Sequence, residues 1–266
     1  MAQIAGLIWD AMGWCPMEAS VRYPVKSATG DTLKRDTASD GGPVARRSAQ
    51  FMRLTWGVVV LSWIIAFLAL PHLPEVIPIH WGLHGEANGF ADKLSGLLGL
   101  PVIITLVTVL LIFLPRLRSM ELSLEAFRDI YAMMIFATIA MVFSIEAMVI
   151  ATAMGVDLPV VTIISLLMGF LILAIGGMMP HIRRNTIMGL RLPWTLASEE
   201  VWNRTHEFGG RIFMTAGVLV VLGSLVAGIW AMALMLVIIL VSTLYISIWS
   251  FRLAKSLPGS EGKTCS

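Results

Sequence analysis

The sequence predicts an all-α integral membrane protein: six transmembrane helices, a small external cap loop, and a cytoplasmic interfacial loop with a short helix. Three observations predict it. Hydrophobic residues make up 57% of the chain and charged residues 14%, where a soluble domain holds about a quarter charged. Apolar stretches of bilayer length recur along the chain, and its mean hydropathy is +0.83. Lys and Arg collect on alternate connections between those stretches. The net charge of +2 is too small to mark a nucleic-acid binder, so no direct nucleic-acid partner is expected.

Residues 1–50 differ from the rest. They mix Lys26, Lys34, Arg35, Arg46 and Arg47 with Asp31, Asp36 and Asp40 among many Ser, Thr, Gly and Pro. Such a composition buries too little apolar surface to order itself, so a disordered extension is expected. Met1–Ala11 is apolar but short and lacks a basic flank, which makes it a poor signal peptide. It reads as a short interfacial helix or as part of an overlong gene start, Met52 being the alternative beginning. Cys15 and Cys265 lie near opposite ends with no zinc-type spacing; as cytoplasmic thiols they are expected to be reduced.

The spans follow in order. Leu54–Leu73, Leu97–Leu114, Ile130–Met154 and Leu158–Met179 each approach the roughly 20 residues that a bilayer core needs. Residues 212–251 carry no charge. As a single helix they would run about 60 Å, too long for one crossing. A split near Gly228–Ala231 gives spans five and six. With both termini inside, the external loops hold only Lys93 of the 19 Lys and Arg residues, and the opposite orientation would reverse that bias. The organisation expected is therefore an extension at 1–50, a helix pair at 51–118, a four-helix region at 119–255 and a tail at 256–266.

Two loops carry most of the polar information. The external one spans roughly Pro74–Ser95. Val76–Trp81 suits an extended segment, because Pro78 opposes helix and its neighbours are β-branched or aromatic. Asn88-Gly89 signals a turn. Trp81 and Phe90 suit the headgroup level. His80 and His84, with Glu86, His72 and Glu75, read either as a metal site or as hydrogen-bonded and solvated side chains. Gly82 and Gly85 oppose the helix that an i, i+4 histidine pair would need, so no metal and no cofactor is expected.

The cytoplasmic loop spans Pro180–Arg211. Ser198 is a good N-cap, followed by Glu199 and Glu200 in the first turn. Val201, Trp202, Thr205 and Phe208 then share one face, with His206 one turn after Trp202. The residues alone favour an anchor lying along the membrane surface over a docking surface for a partner. Within the spans, Glu146 is the one full charge; it either bonds a neighbouring helix or lines a ligand or proton path. Gly169, Gly176, Gly177, Gly217 and Gly223 are expected to allow close helix packing.

Both loops resemble the bacterial SdpI-type immunity protein family. The external loop is similar to its N-terminal unit of unknown function through Pro78, His80-Trp81, Gly85, Asn88-Gly89 and Lys93. The cytoplasmic loop is similar to its hallmark through Asn185, Gly189, Arg191, Pro193-Trp194-Thr195-Leu196, Trp202 and Thr205-His206. The resemblance covers about residues 51–255. The N-terminal extension departs from it, as does Leu192, which stands where a small polar residue is common. The resemblance implies a multi-pass protein of the bacterial plasma membrane that protects against a secreted peptide toxin. It also implies signalling by sequestering a cytoplasmic transcriptional repressor. His80, Trp81, Gly85 and Lys93 become candidates for toxin binding, and Asn185, Gly189, Arg191, Pro193, Trp194, Thr195, Trp202 and His206 for partner docking.

Two other classes compete. A small-solute or peptide transporter would use Glu146, yet neither broken helices nor inverted repeats are visible. A metal-dependent membrane enzyme would rest on His80, His84 and Glu86 alone, since no catalytic motif occurs. The expectation is a protein that is not an enzyme.

Overall fold

A computed structural model of the chain describes residues 43–115, 127–185 and 187–257. Six long helices are apolar enough to span a membrane, as the sequence predicts. They are α1 (Pro43–Ala69), α2 (Lys93–Phe113), α3 (Arg128–Ala153), α4 (Val160–Met178), α6 (Glu199–Val226) and α7 (Ala231–Ser256). A five-residue helix, α5 (Pro193–Ala197), precedes α6. Between α1 and α2 stands an antiparallel hairpin of β1 (Val76–Trp81) and β2 (Ala87–Asp92).

The element boundaries have local causes. Helix α1 starts at Pro43, where a missing N–H costs nothing. The chain is thus helical from residue 43, and the extension expected over 1–50 gives way sooner. Its remainder, with Cys15, and the end of the tail, with Cys265, lie outside the described residues. Helix α2 opens on Asp92, whose side chain accepts from the Ser95 N–H at 3.0 Å. Gly155 and Gly228, at φ 88° and 53°, supply the left-handed backbone that turns α3 into α4 and α6 into α7. The second turn is the split expected near Gly228–Ala231.

The spans sort into two groups. Helices α1, α2 and α3 share buried apolar clusters that include Ala66, Ile77, Leu97 and Val149 at one end. Val59, Ile104, Ile135 and Ile139 continue that core lower in the group. Helices α4, α6 and α7 share a separate cluster of Ile172, Ala216, Val220 and Met235. Polar bonds stitch the first group: Trp63 Nε1 donates to Thr105 Oγ1 at 3.0 Å, and the Tyr131 hydroxyl donates to the Leu111 carbonyl at 2.6 Å.

In the second group α4 and α6 pack backbone to backbone. A Cβ at Gly176 would lie 2.6 Å from the Met214 nitrogen and 2.9 Å from the Gly210 carbonyl oxygen. One at Gly210 would lie 2.7 Å from the Gly176 carbonyl oxygen, and one at Gly217 would lie 3.0 Å from that of Gly169. Two antiparallel helices thus meet through glycines two turns apart on each, the close approach that small residues permit in membranes. Gly169, Gly176 and Gly217 behave as expected, and Gly223 abuts Leu234. Gly177 is the correction: it is exposed, and nothing lies within 4 Å of a Cβ there.

The two glycines make a matched test. Gly176→Leu is expected to destabilise the folded helices by about 2 kcal/mol or more through overpacking. Gly177→Leu is expected to stay within about 0.5 kcal/mol. SDS-induced unfolding of the purified variants measures both, and equal losses would remove the glycine contact as the cause.

Candidate functional site

The sequence-selected residues gather at the two ends of the helix bundle. At one end stands the hairpin. Val76–Trp81 is the extended segment the sequence predicts, but the turn is not at Asn88-Gly89. The chain reverses at Gly82–Glu86, where the Gly82 N–H donates to the Glu86 carbonyl at 2.8 Å and Gly85 takes φ 90°. Asn88 and Gly89 lie inside β2, with the register slipping on both sides of His80. Two contacts explain their place there. Asn88 Oδ1 meets His80 Nδ1 at 2.6 Å across the strands. Gly89 faces His80 so closely that a Cβ would come within 2.8 Å of the histidine Cβ.

Lys93 clamps the hairpin base. Its N–H donates to the Glu75 carbonyl at 2.9 Å, and its Nζ donates to Glu75 Oε1 at 2.7 Å. The base packs on α2 through Ile77, which approaches Gly96, while at the tip Gly85 comes against Val161 of α4. The hairpin therefore bridges the two helix groups. Ser95 hydrogen bonds hold the Asp92 carboxyl below the usual carboxylate range, so it is charged at neutral pH.

Beneath this bridge lies a cavity of about 550 Å³. The hairpin contributes His80, Trp81 and Gly82, and α2 contributes Ser95, Gly99 and Ile103. Helix α3 adds Met148 and Val149, α4 adds Val160, Val161 and Ile164, and α7 adds Met232. A smaller cavity of about 250 Å³ lies between the hairpin tip at His84-Gly85, the start of α4 and the turn at Gly228-Ile229. Of the four hairpin residues singled out by sequence, His80 and Trp81 line the large cavity. Gly85 shapes the tip and Lys93 holds the base. Trp81 is half-buried there and Phe90 is exposed.

At the opposite end the loop between α4 and α6 is folded onto α6. The short interfacial helix expected there does not form. Glu199–Val226 is one continuous helix, and Trp202, placed by sequence at the membrane surface, is fully buried. The reason is hydrogen bonding. Trp202 Nε1 donates to the Ile182 carbonyl at 2.8 Å, so its polar edge is satisfied inside the protein. His206 stacks on Trp202 at 4.0 Å. Its Nδ1 donates to the Trp202 carbonyl at 2.9 Å, and its Nε2 accepts from the Leu190 N–H at 3.1 Å. One nitrogen donating and one accepting fixes the neutral tautomer.

The remaining motif residues shape the same knot. Asn185 Oδ1 accepts from the N–H groups of Ile187 at 2.7 Å and Met188 at 2.8 Å, an Asx-type turn. Gly189 takes φ 107°, and a side chain there would run into His206. Pro193 opens α5 with a missing N–H at no cost. Thr195 Oγ1 donates to the Leu190 carbonyl at 2.6 Å and accepts from the Leu192 N–H at 2.9 Å. Trp194 Nε1 donates to Ser250 Oγ at 2.9 Å and packs edge-on against Phe251, tying the knot to α7. Arg191 alone points outward; it is exposed, with no hydrogen bond or ion pair among the described residues.

Glu146 is fully buried on α3 and accepts from Ser62 Oγ of α1 at 2.5 Å. It bonds a neighbouring helix, the first of the two roles the sequence allows, and it is not among the residues lining the large cavity. Among the described residues no group of three or more His, Cys, Asp or Glu side chains could hold a metal ion.

Sequence reasoning missed the cavity itself, the pairing of Lys93 with Glu75, and Ser250 and Phe251 as partners of Trp194. The last pair had no local signal, because 56 positions separate Trp194 from Ser250.

Comparison with known proteins bears out the resemblance read from the loops. Residues 181–249 match the SdpI/YfhL protein family, and residues 57–105 match a domain of unknown function, DUF1648. The chain is 23% identical over 207 residues to the immunity protein SdpI of Bacillus subtilis (strain 168), covering 77% of this chain and 96% of that protein. It is 28% identical over 76 residues to an uncharacterized protein of Archaeoglobus fulgidus, covering 29% of this chain and 41% of that one. No solved structure matches. The two matched regions enclose the hairpin and the knot.

The knot makes a local prediction. In His206→Ala the Leu190 N–H loses its acceptor. Amide exchange at Leu190, followed by mass spectrometry, is expected to speed up by about fivefold, since such a bond contributes about 1 kcal/mol. Unchanged exchange would mean that the loop is held without His206.

Proposed function

We propose that this chain, with its SdpI/YfhL-family region at residues 181–249, is a membrane immunity and receptor protein rather than an enzyme. It intercepts a secreted peptide toxin at the hairpin end and docks a transcriptional repressor at the knot. The observation that carries this reading is the 550 Å³ cavity beneath the His80–Trp81 strand, walled by both helix groups. A ligand there touches α2 and α3 on one side and α4 and α7 on the other. It can therefore favour one arrangement of the two groups over another, which is what a signal requires. The resemblance to a protein named for immunity supports the same reading.

Charge supports the orientation. Arg183, Arg191, Arg252 and Lys255 stand at the knot end, while Lys93 is the only Lys or Arg at the hairpin end among the described residues. That bias supports an orientation with the knot and both termini on the cytoplasmic side of a bacterial membrane and the hairpin outside.

Helix α7 is the element best placed to carry the message. It is the least buried of the six spans. Met232 near its start lines the cavity, and Ser250 and Phe251 near its end hold Trp194. The separation is about 27 Å along a helix rising roughly 1.5 Å per residue. Inside, Arg191 is an exposed cation of the loop, as is Arg183, and suits an acidic or hydrogen-bonding surface on the repressor. A transport path through Glu146 draws no support from its bond to Ser62.

Deleting the gene is expected to sensitise the cell to a membrane-active peptide, read as lower survival across a peptide panel; unchanged survival across that panel overturns the immunity reading. Arg191→Ala is expected to keep protection and abolish recruitment of the repressor to membranes, scored by fractionation. Trp194→Phe, which loses the Ser250 bond but keeps the ring, is expected to keep protection and weaken the link between toxin and repressor release. If both variants recruit and release repressor normally, the knot is not the docking surface.

A further inference from the structure

We infer that the cavity under the hairpin seats a cationic amphipathic peptide, apolar face down. This rests on the immunity reading above and names the class of ligand and its seat. The depth of the cavity is apolar: Ile103, Met148, Val149, Ile164 and Met232 offer no hydrogen bonds. Its volume falls in the range of sites that bury a compact apolar ligand, roughly 300–1,000 Å³.

The rim decides the charge. Ser95 lines the cavity and is bonded to the Asp92 carboxylate. Gly82 also lines it, and a side chain at that position would meet the Glu86 carboxylate. Both acids are exposed, and neither is in an ion pair among the described residues. Lys93, the cation of this end, is engaged by Glu75. An anionic phospholipid headgroup at this rim would face two carboxylates. A peptide with Lys or Arg beside its apolar stripe would find complementary charge above and an apolar groove below, the usual arrangement for an amphipathic helix in a groove.

The test uses the full chain in phosphatidylcholine nanodiscs, with empty discs measuring simple partition into lipid. The probe is a short fluorescein-labelled Leu/Lys amphipathic peptide, and its Leu/Glu analogue is the charge control. Gly99→Leu fills the cavity, because Gly99 lines it and has nothing within 4 Å of a Cβ. Gly57→Leu, equally open but on the outer face of α1, controls for added bulk.

Fluorescence anisotropy is expected to show binding above empty discs, and at least about tenfold weaker binding of the Leu/Glu analogue. Gly99→Leu is expected to lose about tenfold and Gly57→Leu nothing. The pair Glu86→Gln and Asp92→Asn, the latter keeping the helix cap, is expected to weaken binding severalfold and flatten its salt dependence. The inference is overturned if the Leu/Lys peptide binds no better than to empty discs, if Gly99→Leu binds it as tightly as wild type, or if the Leu/Glu analogue binds equally. It is also overturned if native mass spectrometry finds a phospholipid held by wild type and lost in Gly99→Leu.

Killing assays separate this inference from the immunity reading. If Gly99→Leu loses peptide binding while deleting the gene leaves survival unchanged, the site stands and the immunity reading fails. If binding ignores Gly99 while gene deletion still sensitises cells, the site fails and the immunity reading stands.

Discussion

The fold depends on the contact between α4 and α6. In a bilayer there is no hydrophobic gain in moving an apolar helix from lipid onto another apolar helix. Association has to come from close packing and from the few polar bonds that lipid cannot supply. The glycines at 169, 176, 210 and 217 bring two backbones together so closely that neither helix has room to rotate on the other. The same contact sets the knot. Gly209 and Gly210 receive Met179 and Pro180, the first residues past α4, so the loop leaves α4 already lying on α6. One and two turns earlier along α6, His206 and Trp202 take the Leu190 amide and the Ile182 carbonyl.

A loop held in this way is a rigid surface rather than a flexible tether. The partners of its buried polar groups include backbone from the loop's start, middle and end, and removing any one would strand a donor or acceptor away from water. That economy explains why Asn185, Gly189, Pro193, Thr195, Trp202 and His206 occur together. Each satisfies a backbone requirement of the others: a turn, a left-handed residue, a helix start, a bond to a carbonyl or a stacked ring. Arg191 has no such duty and is free to face outward.

Much of this was legible in the sequence, and for identifiable reasons. The spans were visible because apolar length is a local property. Val76–Trp81 was readable as a strand because Pro78 and its β-branched neighbours oppose helix locally. The failures came where a long-range partner overrode a local preference. Asn88-Gly89 carries a strong turn signal, but His80 across the strand claims the Asn side chain and needs Gly for space. Trp202 looks like an interfacial anchor until the Ile182 carbonyl gives its N–H a buried partner. The tie between Trp194 and Ser250 joins segments that no local pattern connects.

The contrast between α6 and α7 bears on how the two ends could communicate. Locked by glycine to α4, α6 offers one packing. Helix α7 buries few residues and meets its neighbours through side chains, chiefly Ala231, Met235, Ile246, Ser250 and Ala254. Side-chain contacts can be re-formed after a small tilt, whereas backbone contacts between glycines cannot, since any separation loses them outright. A ligand that presses on Met232 therefore meets least resistance along α7. The far end of that helix carries a polar bond to the knot, from Trp194 to the buried Ser250. A tilt of α7 must either carry Trp194 with it or leave that bond unmade. Because the rest of the knot is anchored to α6, moving Trp194 displaces α5 relative to Arg191. A shift of that kind changes the shape of the exposed surface without unfolding it, which suits a surface that holds a partner in one state and releases it in another.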